Sequence, residues 1–312
     1  MRPVHILLGI FAMAVWGFNF VVIKVGLAEF PPLLLSALRF LFVAFPAVFL
    51  VRRPQVPWRI LIGFGAMLGI VKFSLLFVGM SLGMSAGLAS LVLQLQVFFT
   101  VFLAFALMGE ALTVYRIAGM GIALAGIALI GTQTDASTNP AALVLVVGAA
   151  AAWSCANLIM KRAGSVNMFR FMVWSSLIPP LPLFVLSVLF DGWDTVIRSG
   201  IGVSWTGIGA VAYLAGLATL AGFAIWGRLL SLYPAALVAP FALLVPPVGM
   251  ASSALVLGES FNGVKLAAAA LVLGGLAVNL FGGRLVGAVA ARAGRQSVEG
   301  RTAPVRKRKP AA

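Results

Sequence analysis

Ten long apolar runs constrain this chain more than any other feature of its sequence. Each is about as long as the roughly 20 apolar residues that an α-helix needs to cross the hydrocarbon core of a bilayer. None alternates polar and apolar residues as a strand of an outer-membrane barrel does. The runs cover residues 4–24, 33–51, 60–80, 88–108, 114–132, 141–161, 171–190, 206–227, 236–257 and 264–283.

The composition supports the same interpretation. Hydrophobic residues make up 62% of the 312-residue chain and charged residues 9%, whereas a soluble domain has about 25% charged residues. The first run has no cleavage site of small residues and continues through Asn19 to Lys24, so it is a retained helix and not a signal peptide. We therefore predict an all-α membrane protein with ten transmembrane helices.

The placement of the basic residues predicts the orientation. If successive loops alternate between the two sides, 17 of the 22 Lys and Arg residues lie on the side of the N-terminus. Only Lys24, Arg198 and Lys265 lie on the other side. The positive-inside rule then places both termini in the cytoplasm, so the basic surplus does not indicate a nucleic-acid partner. Residues 284–312 are expected to form a disordered basic cytoplasmic tail. This tail is either solvated and serves only to enforce the topology, or it contacts anionic lipid.

Two stretches of the sequence each have a similar counterpart later in the chain. "WGFNFVVIK" (16–24) is followed 137 residues later by "WSCANLIMK" (153–161). "LMGEALTVYR" (107–116) is followed 149 residues later by "VLGESFNGVK" (256–265). The chain therefore divides into two related halves.

The halves are predicted to cover residues 1–135 and 136–283, with five helices in each. Because five is odd, the second half must lie inverted in the membrane relative to the first. Inverted repeats are typical of secondary transporters, whose substrate site lies near the midplane where the halves meet.

Glu110 and Glu259 occupy equivalent positions at the ends of the fourth and ninth runs. Thr113 and Asn262, three residues later, are good N-caps for the helices that follow. One interpretation is that the two glutamates cap and pair charges at helix ends. The other is that, lying on opposite faces of the membrane, they gate the pathway.

Two cations lie inside predicted helices. A charged side chain at the centre of a bilayer costs about 2.5–3.5 kcal/mol on insertion scales, so each needs a physical reason. Lys72 lies at the middle of the third run and is a candidate to bind a substrate carboxylate, or else has a structural partner. Arg39, about two turns inside the second run, either contacts substrate or extends to the interface.

Polar groups of both halves are expected at one depth. Gln94 and Gln96 lie in the fourth run, and because they are two residues apart only one of them should face a cavity squarely. In the ninth run, the prolines at 246–247 leave the carbonyls of Ala242 and Leu243 without helical partners. These groups are candidates to bind a substrate ammonium, although a simple proline kink is the alternative.

Aromatic and amide side chains complete the set of candidate binding residues. Trp16, Trp153 and Trp226 lie inside runs, where they either pack between helices or line the substrate site. Asn19 lies on the same helical face as Trp16, which indicates that this face is turned inward. Asn157 is its loose counterpart in the second half, and both amides are expected to face a shared wet cavity.

Several kinds of function are excluded by what the sequence lacks. No phosphate-binding loop is present, so ATP is not expected as an energy source. One Cys and one His cannot build a metal cluster, and no acidic residue lies inside a run to serve a membrane-embedded hydrolase. We expect neither an enzyme nor a cofactor.

Several stretches resemble the EamA-type branch of the drug/metabolite transporter superfamily: "WGFNFVVIKVGL" (16–27), "LRF" (38–40), and residues 87–110 and 243–259. The resemblance covers nearly all of residues 4–283 and implies a cavity lined by the first, third, fourth, sixth, eighth and ninth helices. Within that branch the chain is most similar to exporters of O-acetylserine and cysteine in bacterial inner membranes. Lys72 stands where a neutral Gln is expected in those exporters.

The sequence and the resemblance together predict export of a zwitterionic amino acid or its derivative by alternating access, from a monomer or weak dimer. Lys72 and Arg39 would attract the carboxylate, and the glutamines and freed carbonyls would bind the ammonium. The alternatives are a broad-range drug or metabolite permease with a mainly aromatic cavity, and a membrane scaffold without transport of its own.

Overall fold

A computed structural model of the protein describes residues 1–132, 139–164 and 166–301. These residues contain ten helices that are long and apolar enough to span a membrane, which confirms the predicted all-α membrane architecture. We number these helices as spans in chain order. They are Pro3–Gly26, Pro32–Leu50, Trp58–Ser81, Ala86–Met108, Val114–Gly131, Pro140–Arg162, Met168–Asp191, Trp205–Leu232, Ala239–Leu257 and Gly263–Gly283.

Local sequence explains where several spans begin and end. Proline occupies the first turn of the first, second and sixth spans, where its missing N–H costs no helical hydrogen bond. Ser85 begins the fourth span by accepting a hydrogen bond from the Leu88 amide. Gly109 and Gly258 end the fourth and ninth spans with φ of 68°, a left-handed conformation that favours glycine. The repeated Gly-Glu pair therefore marks two helix ends.

Two pairs of equivalent spans depart from regular α-helix at matching positions. The third and eighth spans contain π-helical segments, Gly65–Lys72 and Tyr213–Ala221. The fourth span breaks at residues 93–94, and the ninth begins as a 3-10 helix, Ala239–Leu244. Such departures change which backbone carbonyls the helix satisfies, and they are common at functional sites. Both halves therefore present irregular backbone at the same depth.

Glycines bring the fifth and tenth spans into close contact. A Cβ atom added at Gly119 would lie 2.5 Å from the carbonyl oxygen of Gly275, and one added at Gly275 would lie 2.4 Å from that of Gly119. Real Cβ atoms do not approach so closely, so the backbones pack together only because both residues lack a side chain. This pair of spans joins the two halves at the edge of the bundle, away from the polar cavity described below.

The end of the chain differs from the sequence prediction. The last helix extends as Gly263–Arg301, past residue 283, where the sequence predicted disorder. Alanine and arginine are frequent after residue 284 and favour helix, which offsets the loss of the apolar pattern. The predicted tail also includes residues 302–312, which lie outside the described residues.

The helix ends define two faces of the bundle. We call the face that carries Glu110 and Lys161 the Glu110 face, and the opposite one, which carries Glu259 and Lys24, the Glu259 face. On the Glu259 face, the Ser204 hydroxyl before the eighth span donates to Glu29 Oε1 after the first, at 2.8 Å. The two glutamates of the repeat thus lie on opposite faces, as expected for inverted halves.

Candidate functional site

A cavity of about 260 Å³ lies between the two halves at the middle of the bundle. Its walls come from the six spans that the family resemblance implies, with Arg39 added from the second span and Met168 from the seventh. Residues that line it are Trp16, Asn19, Phe20, Arg39, Leu68, Lys72, Phe73, Leu76, Leu93, Gln94, Gln96, Trp153, Asn157, Met160, Met168, Phe223, Trp226, Ala242 and Val245.

Ten of the eleven candidate binding residues named from the sequence line this one cavity. The exception is Leu243, which is not among the residues that line it. Its segment winds as a 3-10 helix, Ala239–Leu244, so consecutive carbonyls do not point in the direction that a kinked α-helix would give them. Ala242 therefore lines the cavity and Leu243 does not, and substrate binding by either residue stays a prediction.

Arg39 is 3% exposed and holds its guanidinium in the cavity wall through neutral partners. Its Nε donates to Oγ1 of Thr219 at 3.0 Å, and its Nη1 donates to Oδ1 of Asn19 at 3.4 Å. The guanidinium carbon also lies 4.2 Å from the ring centre of Phe73. The side chain therefore joins the first, second and eighth spans and faces the cavity, so it does not reach the interface.

Lys72 is 4% exposed and contacts two aromatic rings. Its Nζ lies 3.3 Å from the ring centre of Phe73 and 4.7 Å from that of Trp153. Aromatic faces attract cations, but they accept hydrogen bonds poorly. No oxygen of the described residues accepts a hydrogen bond from Nζ, so this ammonium lines the cavity with its donors unused.

Neither cation pairs with an acidic residue in the part of the chain that the structure describes. Among the described residues the one salt bridge joins Lys161 to Glu110, and no Asp or Glu lines the cavity. Phe73 contacts both cations, so the two charges share one small volume. The site is a desolvated, positively charged pocket that an anion from outside the protein would neutralise.

Both glutamines of the fourth span line the cavity, contrary to the expectation that only one would face it. The span breaks at residues 93–94, so the two side chains do not diverge as on a continuous helix. Gln94 Nε2 donates to the carbonyl of Ala242 at 3.2 Å, which links the fourth and ninth spans. Gln96 Oε1 accepts from Nδ2 of Asn157 at 2.7 Å, which links the fourth and sixth spans. Hydrogen bonds of the two glutamines thus connect the two halves at one depth in the bundle.

An aromatic wall faces the polar groups. Trp16 packs against Phe223 and Trp226, with ring centres 5.2 and 5.6 Å away. Its indole Nε1 donates at 2.8 Å to the carbonyl of Ala218, which lies in the π-helical segment of the eighth span. The indole nitrogen therefore has its hydrogen-bond acceptor within the protein, and Trp16 offers a bound molecule only the apolar surface of its ring.

The cavity is displaced towards the Glu110 face. Met160 and Met168, which lie near helix ends on that face, line it and are partly exposed. Towards the Glu259 face, Met80 and Met84 are fully buried beyond the end of the cavity. The cavity therefore extends to the helix ends of the Glu110 face and stops short of those of the Glu259 face.

Glu259 helps to close its own face. Its two carboxylate oxygens accept hydrogen bonds from the backbone amides of Ala86 and Gly87, at 2.6 and 3.0 Å. These amides begin the fourth span, so a residue that follows the ninth span holds a span of the other half. Beside this contact Lys24 donates to the carbonyl of Met80 at 2.9 Å. The carboxylate of Glu259 and the backbone amides of the fourth span thus hold the two halves together on this face, and the Lys24 contact joins the first and third spans beside them.

Glu110, the equivalent residue on the opposite face, makes a different contact. It pairs with Lys161, the counterpart of Lys24, in an exposed salt bridge. The hydrogen bond from Lys161 lowers the pKa of the Glu110 carboxyl below its ordinary value. Thr113 begins the next helix but makes no capping bond with its side chain, whereas Asn262 Oδ1 accepts from the Lys265 amide. The repeated residues on the two faces therefore match in sequence but make different contacts.

Sequence reasoning missed two residues that shape the site. Phe73, adjacent to Lys72, supplies the ring that both cations contact, and apolar residues in an apolar run give no signal of facing a cavity. Thr219 accepts from Arg39 and donates to the carbonyl of Leu214 at 2.8 Å, five residues earlier. A hydroxyl inside the eighth run was the available signal for Thr219.

A second, larger cavity of about 470 Å³ lies beside the second and eighth spans. Hydrophobic residues and glycines line it, including Phe30, Leu38 and Phe42, and no charged group is present. The smaller central cavity is the candidate site because it collects the buried charges and amides.

Comparison with known proteins agrees with this geometry. The profile of the "EamA-like transporter family" matches residues 4–132 and again 140–281. A "probable amino-acid metabolite efflux pump" of Salmonella typhimurium is 44% identical over 287 residues, covering 89% of this chain and 95% of the relative. A protein of the same description from Escherichia coli is 43% identical over 281 residues, covering 88% and 94%.

The fold is also similar to that of a solved crystal structure. The two chains superpose with a TM-score of 0.61 at 21% sequence identity, covering 89% of this chain and 96% of the other. At that identity the likeness shows a shared fold and nothing about the cargo.

Proposed function

Because the chain belongs to the EamA-like transporter family, we propose that it exports small amino acids or amino-acid metabolites from bacterial cells by alternating access. Membership of this family makes the protein a membrane transporter and not an enzyme. The relatives described as amino-acid metabolite efflux pumps support the class of cargo. The inner membrane is its proposed location, since all ten spans are apolar helices.

One observation above all supports this proposal. Two buried cations of the first half, Arg39 and Lys72, and amide side chains of both halves surround a single cavity at the depth where the spans are irregular. Secondary transporters with inverted repeats bind their cargo near the midplane, between the halves. At about 260 Å³, the cavity is smaller than the about 300–1,000 Å³ typical of drug-sized ligands, and it suits a molecule of amino-acid size.

The cargo would lie with its carboxylate against Arg39 and Lys72, because the Lys72 ammonium has no hydrogen-bond acceptor among the residues that the structure describes. The amino end would then point towards Gln94, whose Oε1 accepts no hydrogen bond from the described residues while its Nε2 donates to the carbonyl of Ala242. Cysteine and O-acetylserine, the cargo predicted from the sequence and the resemblance, carry both a carboxylate and an amino group. They are the first compounds to test.

The proposed mechanism is alternation between access from the Glu110 face and access from the Glu259 face. The positive-inside rule places the Glu110 face in the cytoplasm, so the present arrangement would accept cargo from inside the cell. Release would require Glu259 to leave the amides of Ala86 and Gly87, and the Glu110 face to close. The pair between Glu110 and Lys161 already joins the fourth and sixth spans in this arrangement, so closing the cytoplasmic face would require a further contact there, equivalent to the one that Glu259 makes.

The aromatic wall favours a second candidate, a permease of broader range. Trp16, Phe223 and Trp226 offer flat apolar surfaces that accept many planar groups. A broad permease would move apolar drugs that lack a carboxylate about as well as amino-acid metabolites.

Flux into proteoliposomes tests these alternatives. Purified protein should move labelled O-acetylserine or cysteine faster than empty liposomes do, and an uncharged aromatic drug should not compete. Substitution K72M or R39Q should reduce the flux. Equal competition by uncharged drugs would favour the broad permease, and full flux by K72M would contradict the proposed role of Lys72.

A further inference from the structure

We propose that the cavity prefers cargo with a net negative charge, namely N-acylated or dicarboxylic amino acids, over zwitterions of the same size. This inference rests on the proposed function, since it concerns the same cavity and the same carboxylate contact. It changes the zwitterionic cargo expected from the sequence into an anionic one.

The balance of charge in the cavity is the first argument. Arg39 and Lys72 contribute two buried cations, and no acidic residue of the described chain lines the cavity. The partners of Arg39 are the neutral side chains of Thr219 and Asn19. A zwitterion leaves the net charge of the site unchanged, whereas an anion removes one positive charge and a dianion removes both. Uncompensated charge is costly in a desolvated site, so the anion is favoured.

The position of the cargo's own ammonium is the second argument. In an α-amino acid the ammonium lies close to the carboxylate, so a carboxylate held by Lys72 and Arg39 brings a third positive charge beside them. Two like charges this close repel each other at the effective dielectric constant of a protein surface, and more strongly in a drier site. An acylated amino group removes this repulsion and keeps the carboxylate contact.

The acceptors that would bind an ammonium form the third argument. The carbonyl of Ala242 already accepts from Gln94, and Oε1 of Gln96 already accepts from Asn157. An ammonium has three donors to satisfy, whereas the amide of an N-acyl amino acid has one, which Gln94 Oε1 alone can accept. The acyl group would then pack against the aromatic wall, where Trp16 and Trp226 present apolar surface.

Two isomers give a direct test. N-acetylserine and O-acetylserine have identical atoms, but the first is an anion and the second a zwitterion. Labelled uptake into proteoliposomes is measured for each at mildly acidic pH, where acyl migration between oxygen and nitrogen is slow. We expect kcat/KM for N-acetylserine to exceed that for O-acetylserine by about tenfold or more, which corresponds to about 1.4 kcal/mol or more.

Variants of Lys72 identify the cause of the preference. K72Q should lower the ratio of the two kcat/KM values at least several-fold, and K72R should retain it. Preference for O-acetylserine by the wild type, or an unchanged ratio in K72Q, would overturn the inference while leaving the proposed function intact. Transport of no amino-acid derivative at all would instead overturn the proposed function.

A second pair of compounds tests the preference for negative charge on the wild-type protein alone. Aspartate and asparagine are nearly isosteric and differ by one negative charge. Aspartate should compete with labelled N-acetylserine at a concentration about tenfold lower than asparagine. Equal competition would count against selection by charge even if K72Q failed to fold.

Discussion

The Nε of Arg39 donates a hydrogen bond to Oγ1 of Thr219 across 3.0 Å, and this bond joins the second span to the eighth inside the membrane. Thr219 can accept in this way because its own hydroxyl proton is donated to the carbonyl of Leu214, five residues earlier. The π-helical turn of the eighth span thus orients a hydroxyl that fixes a guanidinium. A backbone irregularity in one half thereby positions a charge of the other half.

Replacing Thr219 by Val should weaken cargo binding without changing the shape of the side chain. The substitution leaves the buried Nε of Arg39 without its acceptor, and hydrogen bonds to charged groups contribute about 1.5–3 kcal/mol. We expect the apparent KM for the transported metabolite to rise about tenfold, with a smaller change in kcat. T219S keeps the hydroxyl and should stay near the wild-type KM, so equal KM values for T219V and wild type would show that the bond does not position Arg39.

Much of the fold could be predicted from the sequence because each span is a long apolar run, and length alone separates a membrane helix from other elements. Most of the candidate site is also predictable, because charged and amide side chains at membrane depth avoid lipid and therefore face the interior of the bundle. Arg39, Lys72 and Gln94 are predicted on that basis, and all three line one cavity.

Interruptions of the spans were less predictable. In the ninth span, the two prolines at 246–247 indicate an interruption of the helix. In the fourth span no proline or glycine near Gln94 does so, because the sequence there is "LVLQLQ". Tertiary packing sets that break, and it is the reason that both Gln94 and Gln96 line the cavity. The π-helical segments and Phe73 escaped prediction for the same reason, because hydrophobic periodicity carries no information about contacts between spans.

Removal of the Glu259 charge should open the face that it fastens. E259Q removes the charge and replaces one of the two accepting oxygens by an NH2 group, so one of the hydrogen bonds from the amides of Ala86 and Gly87, at 2.6 and 3.0 Å, is lost. A single cysteine introduced at Leu76, a buried residue at the end of the cavity nearest this face, reports the opening once Cys155 is replaced by Ala. We expect E259Q to raise its rate of labelling by an impermeant maleimide about tenfold.

The equivalent substitution on the other face provides the matched control. E110Q breaks an exposed pair with Lys161 and should leave labelling of the Leu76 cysteine from the Glu259 face unchanged or lower. Labelling is measured separately in spheroplasts and in inverted vesicles, so that each face is sampled. Equal acceleration by E110Q and E259Q would show a general loosening of the bundle and would contradict separate fastenings.

The stability that the salt bridge between Glu110 and Lys161 contributes should fall at acidic pH and stay constant near neutral pH. The hydrogen bond from Lys161 lowers the pKa of this carboxyl from an ordinary value of 4.5, so its contribution is present above that value. It is lost as the pH falls through the lowered pKa. The small difference in melting temperature between wild type and E110Q should therefore stay constant at neutral and mildly acidic pH and narrow below the ordinary value. High salt should also reduce it, because the pair is exposed, and narrowing near neutral pH would contradict this assignment.

The contact between the fifth and tenth spans gives a prediction about stability alone. In G119A the new methyl carbon would lie 2.5 Å from the carbonyl oxygen of Gly275, so the two spans must separate and lose packing along their crossing. We expect a clear drop in melting temperature in detergent and little change in KM, because neither residue lines the cavity.

Gly121 is the control for this substitution, since it lies on the same span and a Cβ atom there meets nothing within 4 Å. G121A should match or slightly exceed the wild-type melting temperature, because alanine favours helix over glycine by about 1 kcal/mol in soluble hosts. Membrane helices gain no hydrophobic energy from associating in lipid, so close approach of backbones is what such a crossing offers. If G119A were as stable as G121A, the fifth and tenth spans would have to be held together by contacts other than the glycine crossing.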